Sequence, residues 1–487
     1  MIFDHLLEIV RSAPAGSGLR HAESFTSYAD LLPRIERLAA GLVTRGIAPG
    51  DVVALLMPNS PAIFTAAHAL FAIGAIAMPL APGATRAELA ALARKTGLRA
   101  VIAAPAAEAA AHALIADVAP SAMLLPSSDL AAIETTPIAL PPVSGSTTAL
   151  YLFSSGSTGL PKIVPHTHAE LIADGRRATT AWNLQPDDVM LNILPPNFAM
   201  GFLLGVMDVV TRAATTFYWS DPLPLALSRR KLIAAASAAG VTAMGAVPAM
   251  YELIGADRSE DRLALRLAFS GGAALQRATF DAIRARFGIA LRQSYGSTEA
   301  IMVAHNGDDD PEQSWMSVGP PAGDAEIRIA PLETGLGPDV GELLVRSSSL
   351  MQGYLGDDAA NAQSFEAGWF RTGDLAAIDT AGRIVIRGRS KLLIEVSGYK
   401  IDPIEVEDTL AAHPAIAESA VTGVPDARNG HRLRAYVVRR GEVAADDILR
   451  HARGHLSIQK VPAEIAFVDE LPRSPTGKLL RNRLSEL

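Results

Sequence analysis

The chain has 487 residues, of which 49% are hydrophobic and 19% charged, and its formal net charge is -8. That length exceeds what one hydrophobic core supports, so two or more domains are expected. The acidic balance offers no basic face to nucleic acid or to an anionic membrane, and the lack of any cysteine excludes disulfides, thiolate metal sites and a thioester on the enzyme itself.

The first residues, MIFDHLLEIVRSAPAG, carry early acidic side chains and no basic region ahead of a long apolar run. They do not read as a signal peptide, and a cytoplasmic location is expected. From Val52 to Thr85 no Asp, Glu, Lys or Arg occurs, a length that would reach across a bilayer. Pro58, Pro61, Gly74 and Pro79 divide the run, however. A buried helix near Ala62 to Ile73, followed by a strand over Ala75 to Leu80, accounts for it without lipid, so no membrane span is expected.

Apolar strands at Val52 to Met57, Ala75 to Leu80, Ala100 to Ala104, Met123 to Leu125 and Leu150 to Phe153 alternate with alanine-rich helical segments. This alternation predicts α/β layers with largely parallel sheets. A connection rich in Pro, Ser, Gly and Thr, Thr135 to Thr148, leads through the strand Ala149 to Phe153 into Ser154 to Lys162, SSGSTGLPK. Gly156 and Gly159 let backbone N–H groups turn toward an anion, Ser154, Ser155, Ser157 and Thr158 add hydroxyl donors, and Lys162 adds a point charge. The spacing lacks the Gly-Lys-Ser/Thr ending of a Walker loop, which points to ATP but away from a kinase or P-loop ATPase. The bland alternative is a surface turn between the strand and a following helix.

Further along, Ser270-Gly271-Gly272-Ala273 follows an apolar strand and is small enough for a planar base to lie on its backbone. In Ser294-Tyr295-Gly296-Ser297-Thr298-Glu299, a ring able to stack on adenine precedes a carboxylate suited to Mg2+, with phosphate-seeking hydroxyls between them. After Gly319 short strands at Glu326 to Ile329, Gly341 to Arg346 and Arg383 to Gly388 predict a smaller β subdomain. There Asp374, just after a turn in Gly368 to Asp374, can accept two hydrogen bonds from a ribose diol. Arg387 to Lys391, continuing to Gly398-Tyr399-Lys400, reads as a basic contact at a domain joint or as a solvated charge run. The remaining hundred or so residues suit a small α+β domain. Near their end the proline-bounded Pro472 to Lys478 would carry a lysine able to bridge an incoming carboxylate and an α-phosphate.

In this order the segments resemble the adenylate-forming superfamily of acyl-CoA synthetases, luciferase-like proteins and peptide-synthetase adenylation domains, and the resemblance covers essentially the whole chain. It implies an α/β fold: a large N-terminal AMP-binding domain of layered α/β subdomains plus a β subdomain (1–388), a hinge (389–391) at Lys391, and a small mobile α+β domain (392–487). It implies that Ser154 to Lys162 hold the pyrophosphate end of ATP and that Gly272 and Tyr295 bracket adenine, with Ala273, Gly296 and Ser297 also among the ATP- and AMP-binding residues. Thr298 would meet phosphate, Glu299 would bind Mg2+, and Asp374 with Arg389 would take the ribose. Lys478 would serve adenylation; Gly398 and Tyr399 would border the pantetheine tunnel in a second state of the small domain. Phe198, Gly201, Ile301 and Met302 would line the acyl pocket.

The implied reaction is activation of a carboxylic acid, an aliphatic or aromatic small molecule, to an acyl-adenylate and its transfer to CoA, or to the phosphopantetheine of a carrier protein. A relative that binds nucleotide without catalysis is a distant alternative. Two departures stand out: Phe198 occupies a position that is often His in the superfamily, and Leu392 one that is often acidic. Ala199 stands where amino-acid-activating relatives place Asp, so an ammonium-bearing substrate is disfavoured. His166 and His168 follow the glycine loop and receive no role in the mechanism.

Overall fold

A computed structural model describes residues 1–81, 86–154, 162–332, 339–396, 399–426, 430–473 and 479–487, with the side chains of 87, 88, 391, 399, 400, 430, 482 and 485 left undescribed. The chain divides into two compact units: Met1–Glu326 with Arg346–Phe370, and Ile327–Val345 with Arg371–Leu487.

The first unit is built on two sheets. One runs Met123–Pro126, Leu98–Ala103, Val52–Leu56, Ile76–Pro79, Thr148–Ser154, Lys162–Thr167. Its pairs are parallel except the last, an antiparallel hairpin that sets Ser154 opposite Lys162. The segment after the glycine loop is therefore a strand, where the turn reading placed a helix; the β-branched Ile163 and Val164 and the interrupting Pro165 favour extended chain. The helix comes one element later, at His168–Ala181, started by a capping box of Thr167 and Glu170.

The second sheet runs Ile301–His305, Arg292–Ser297, Leu267–Ser270, Ala243–Ala246, Val189–Asn192, Thr215–Tyr218, Gly18–His21, Ser24–Ser27. It is parallel through its middle and antiparallel at both edges. Within the uncharged stretch, the helix Pro61–Ile73 has Pro at its first turn, ends on Gly74 at φ +75°, and buries every residue from Ile63 onward. Among the described residues no helix is long and apolar enough to cross a membrane.

Two further sets of strands make up most of the second unit. Glu326–Pro331, Gly341–Arg346, Trp369–Ile378 and Ile384–Arg389 are neighbours in that order. Tyr399–Ile401, Ile394–Val396, Gly430–Arg439 and Ile416–Asp426 form the other set, with Glu464–Phe467 added parallel to Gly430–Arg439. Helices Pro403–Ala411 and Ala445–His455 bury Val406, Leu410, Ile448 and Ala452 in one core with Ile416, Val421 and Val437.

Candidate active site

In the first unit, the turn that follows the strand Arg292–Ser297 carries Thr298 and Glu299, and it is held from several sides. The Ser297 hydroxyl accepts the Ala300 N–H at 3.1 Å. The buried His166 places Nε2 2.8 Å from the Thr298 carbonyl oxygen, and its Nδ1 lies 3.5 Å from Glu170. Glu170 is itself fixed by the cap on Thr167 and by Gln352 at 2.9 Å. Beyond the turn, Asp174 accepts the Met302 N–H at 3.0 Å and an Arg177 N–H at 3.2 Å. Arg177 reaches Asp324 at 2.7 Å and also bonds Ser349, whose hydroxyl meets the Ala300 carbonyl.

This anchoring accompanies a strained backbone. Ile301 sits at φ +54°, a conformation that crowds a β-branched residue, and the strand pairing shifts register between Tyr295 and Gly296. Gly296 is needed there, since a Cβ on it would come within 2.0 Å of the Ile301 carbonyl oxygen.

Around this turn stand other residues expected at the site. Gly272, at φ +79°, and Ala273 are exposed at the end of the strand Leu267–Ser270. The ring of the half-buried Phe198 packs against Gly272, about where a Cβ would come within 3.2 Å of it. Tyr295 is half-buried opposite Ala304. Met302 is buried in a core with Trp182 and Phe269, against which Phe198 and Met200 pack. Gly201 is buried and closely enclosed: a Cβ on it would come within 2.3 Å of the Pro195 carbonyl oxygen and 2.9 Å of Leu194, and its own carbonyl accepts the Asn192 amide.

Lys162 and Glu299 meet on a residue the sequence reading did not single out. The Tyr354 hydroxyl donates to Glu299 Oε1 at 2.9 Å, and Lys162 Nζ lies 4.3 Å from the centre of the Tyr354 ring. Its segment is tied on both sides, with the Met351 N–H on the Glu299 carbonyl and the Leu355 N–H on the Ile163 carbonyl. Glu170, Asp174 and Arg177 were missed as well, and His166 was noted without a role. They support the turn rather than forming a recognisable motif, and the one signal available was two histidines directly after the glycine loop.

In the second unit, Asp374 lies within the strand Trp369–Ile378, one residue past Gly373 at φ +72°. The strand continues because Asp374 is in register with Arg389 of the neighbouring strand, and their Nε and Oδ1 atoms are 2.8 Å apart. Ser155, Gly156, Ser157, Thr158, Gly159, Gly398 and Lys478 lie outside the described residues, as do the side chains of Lys391 and Tyr399.

Among the described residues no group of three or more His, Cys, Asp or Glu is placed to hold a metal ion. A lone carboxylate such as Glu299 nevertheless fits Mg2+, which takes one or two protein carboxylates and completes its shell with water and substrate phosphates.

Three histidines of the first unit are kept neutral by burial, which lowers His68 and His168 to about 4 and His305 to about 3. Their ordinary value is 6.5, so the stability they confer is present above pH 6.5 and is lost as pH falls through the window toward 4. Asp174, raised by burial to about 6, runs the other way: its contribution is lost as pH rises from 4 through 6. Denaturant titrations at descending pH should therefore show stability falling below neutrality by up to about 1.4 kcal/mol per pH unit for each histidine. His68→Leu should flatten that fall by one proton, and an unchanged slope would mean that His68 is already charged when folded.

Comparison with known proteins agrees with this arrangement. The AMP-binding enzyme family model matches residues 12–355, and the AMP-binding enzyme C-terminal domain matches residues 405–478. A feruloyl-CoA synthase of an Amycolatopsis species is 31% identical, over 97% of this chain and 96% of its own. A salicyl-AMP ligase / salicyl-S-ArCP synthetase of Mycobacterium tuberculosis is 32% identical, over 96% of this chain and 86% of its own. ATP-bound MatB from Rhodopseudomonas palustris superposes with a TM-score of 0.89 at 27% identity, covering 100% of this chain and 99% of that one. The chain belongs to the AMP-binding enzymes, the adenylate-forming superfamily that its ordered motifs resemble.

Proposed function

We propose that this enzyme is an AMP-forming acid-thiol ligase. A carboxylate oxygen of the substrate attacks the α-phosphorus of ATP, pyrophosphate leaves, and the acyl-adenylate is then cleaved by the thiol of CoA with loss of AMP. The observation that carries this reading is the gathering of Lys162 and Glu299 on Tyr354, within the same unit as the exposed Gly272-Ala273 backbone.

A carboxylate resists a thiol because it is anionic and would have to expel oxide; joined to AMP, it has a good leaving group. In the first step Lys162 and the loop Ser154 to Gly159 hold the departing pyrophosphate, Thr298 donates to phosphate, and Lys478 offsets the charge between carboxylate and α-phosphate. Mg2+ on Glu299 would neutralise phosphoryl oxygens. Gly272, Ala273 and Tyr295 receive adenine. Asp374 and Arg389 receive the ribose, which requires their mutual ion pair to open or to be shared with the diol. Residues 392–487, swinging about 389–391, would present Lys478 for the first step and Gly398 with Tyr399 for the second.

The acyl end would lie near Phe198, Ile301 and Met302. These side chains are apolar and Ala199 replaces a carboxylate, which supports an aliphatic or aryl acid over an amino acid. Salicyl transfer to a carrier by a relative 32% identical keeps a carrier-protein phosphopantetheine as the competing acceptor.

The test is pyrophosphate release over a panel of aliphatic and aryl acids, with CoA or a carrier protein supplied. Release that needs CoA supports the ligase reading. Release that needs the carrier transfers it to carrier loading, and no release with any acid would leave a nucleotide-binding relative without catalysis.

A further inference from the structure

Tyr354 is placed independently of the two charged groups it touches. Its backbone N–H donates to Asn361 Oδ1 at 2.7 Å, and its carbonyl accepts the Asn361 amide at 3.1 Å. Asn361 lies on the helix Asp358–Ser364, whose start is capped by Asp357 accepting the Ala360 N–H at 3.1 Å. Gly353, at φ +151°, passes Asn361 so closely that a Cβ would sit 3.0 Å from its side-chain oxygen. The flanking residues Met351 and Leu355 are tied to Glu299 and Ile163, the latter next to Lys162. The side chain is thus held at its backbone by Asn361 and ends between an ammonium and a carboxylate.

Those two charges make no ion pair with each other among the described contacts, although each reaches the same ring. A Lys and a Glu free to reach each other would tend to pair, and each would then be blocked from its own ligand. The tyrosine gives each a separate, weaker partner: the ring face attracts the ammonium, and the hydroxyl fixes one carboxylate oxygen.

We infer that Tyr354 is a positioning residue that keeps Lys162 and Glu299 apart and aimed, one for the terminal phosphates and the other for the metal. The inference rests on the roles given above to Lys162 and Glu299. The two functions reside in different parts of the side chain and are separable: Phe keeps the ring and removes the hydroxyl, whereas Leu removes both.

The experiment measures equilibrium binding of ATP without acid substrate, once with Mg2+ and once with EDTA, for the parent, Tyr354→Phe, Tyr354→Leu and Glu299→Gln. Tyr354→Phe should weaken binding of MgATP about tenfold, the size of one hydrogen bond to a charged group, while metal-free ATP binds within about twofold of the parent. Tyr354→Leu should weaken both. The Mg2+ concentration for half-maximal pyrophosphate exchange should rise in Tyr354→Phe with little change in kcat at saturation. MgATP binding equal to the parent in Tyr354→Phe overturns the inference. So does an equal loss with and without metal, which a merely structural tyrosine would give. Glu299→Gln separates the two levels. If it leaves the Mg2+ enhancement intact, the metal role of Glu299 fails and this inference with it. If it removes the enhancement while Tyr354→Phe does not, only the role of Tyr354 fails.

Discussion

Glu299→Gln is expected to slow acyl-adenylate formation by about 10²–10³-fold, the usual cost of removing one preorganised electrostatic contact to a reacting phosphoryl group. The substitution is chosen because it preserves nearly everything else. A glutamine side-chain oxygen still accepts the Tyr354 hydroxyl, and the backbone bond from Met351 to the carbonyl of residue 299 does not depend on the side chain. What is lost is the negative charge beside the transferring phosphorus. Stability should therefore stay close to that of the parent, whereas pyrophosphate exchange should collapse and should recover only in part at high Mg2+. An exchange rate within about threefold of the parent at ordinary Mg2+ would remove Glu299 from the adenylation step, against the scale just given.

The parts of the site legible in the sequence were those in which several unusual residues stand together. Gly272 and Gly296 are needed by the backbone, one at a positive φ and the other for a close approach to Ile301, and glycine advertises such needs. The uncharged run from Val52 was read as a buried helix and strand, because Pro61 and Gly74 mark the helix ends that the structure shows. Tyr354 gave no such notice. Gly353-Tyr354-Leu355 looks like an ordinary turn, and its importance arises from residues 163 and 299 that reach it from distant parts of the chain. His166 was seen but not assigned, since a hydrogen bond to the Thr298 carbonyl 132 positions away leaves no mark in local spacing. The strand after the glycine loop was missed for a related reason: its partner precedes the loop, and pairing decides its state more than propensity does. Asp374 was recognised as a special carboxylate, but its ion pair with Arg389 follows from strand register, which sequence alone leaves open.

The second large effect concerns the division of labour proposed for residues 392–487. Lys478→Ala should abolish adenylate formation, lowering it by about 10³-fold, yet leave the reaction of a supplied acyl-adenylate with CoA near the parent rate. Gly398→Leu should do the reverse, because a branched side chain would obstruct a narrow path for the pantetheine arm while leaving the first step untouched. The chemical reason is that the two half-reactions ask opposite things of the same space. Adenylation brings an anionic carboxylate to an anionic α-phosphate and needs a cation between them. Thiolysis attacks an activated carbonyl and needs room for a neutral or anionic sulfur, and an ammonium left in place would occupy that room. One small domain offering two faces in turn would meet both demands, with the residues at 389–391 taking up the backbone change under this proposal. Both variants must be assayed for both half-reactions, since the overall rate falls in either case. A loss of both steps by the same factor in each variant would show that the two residues serve a single state, and the alternating account would then have to be abandoned.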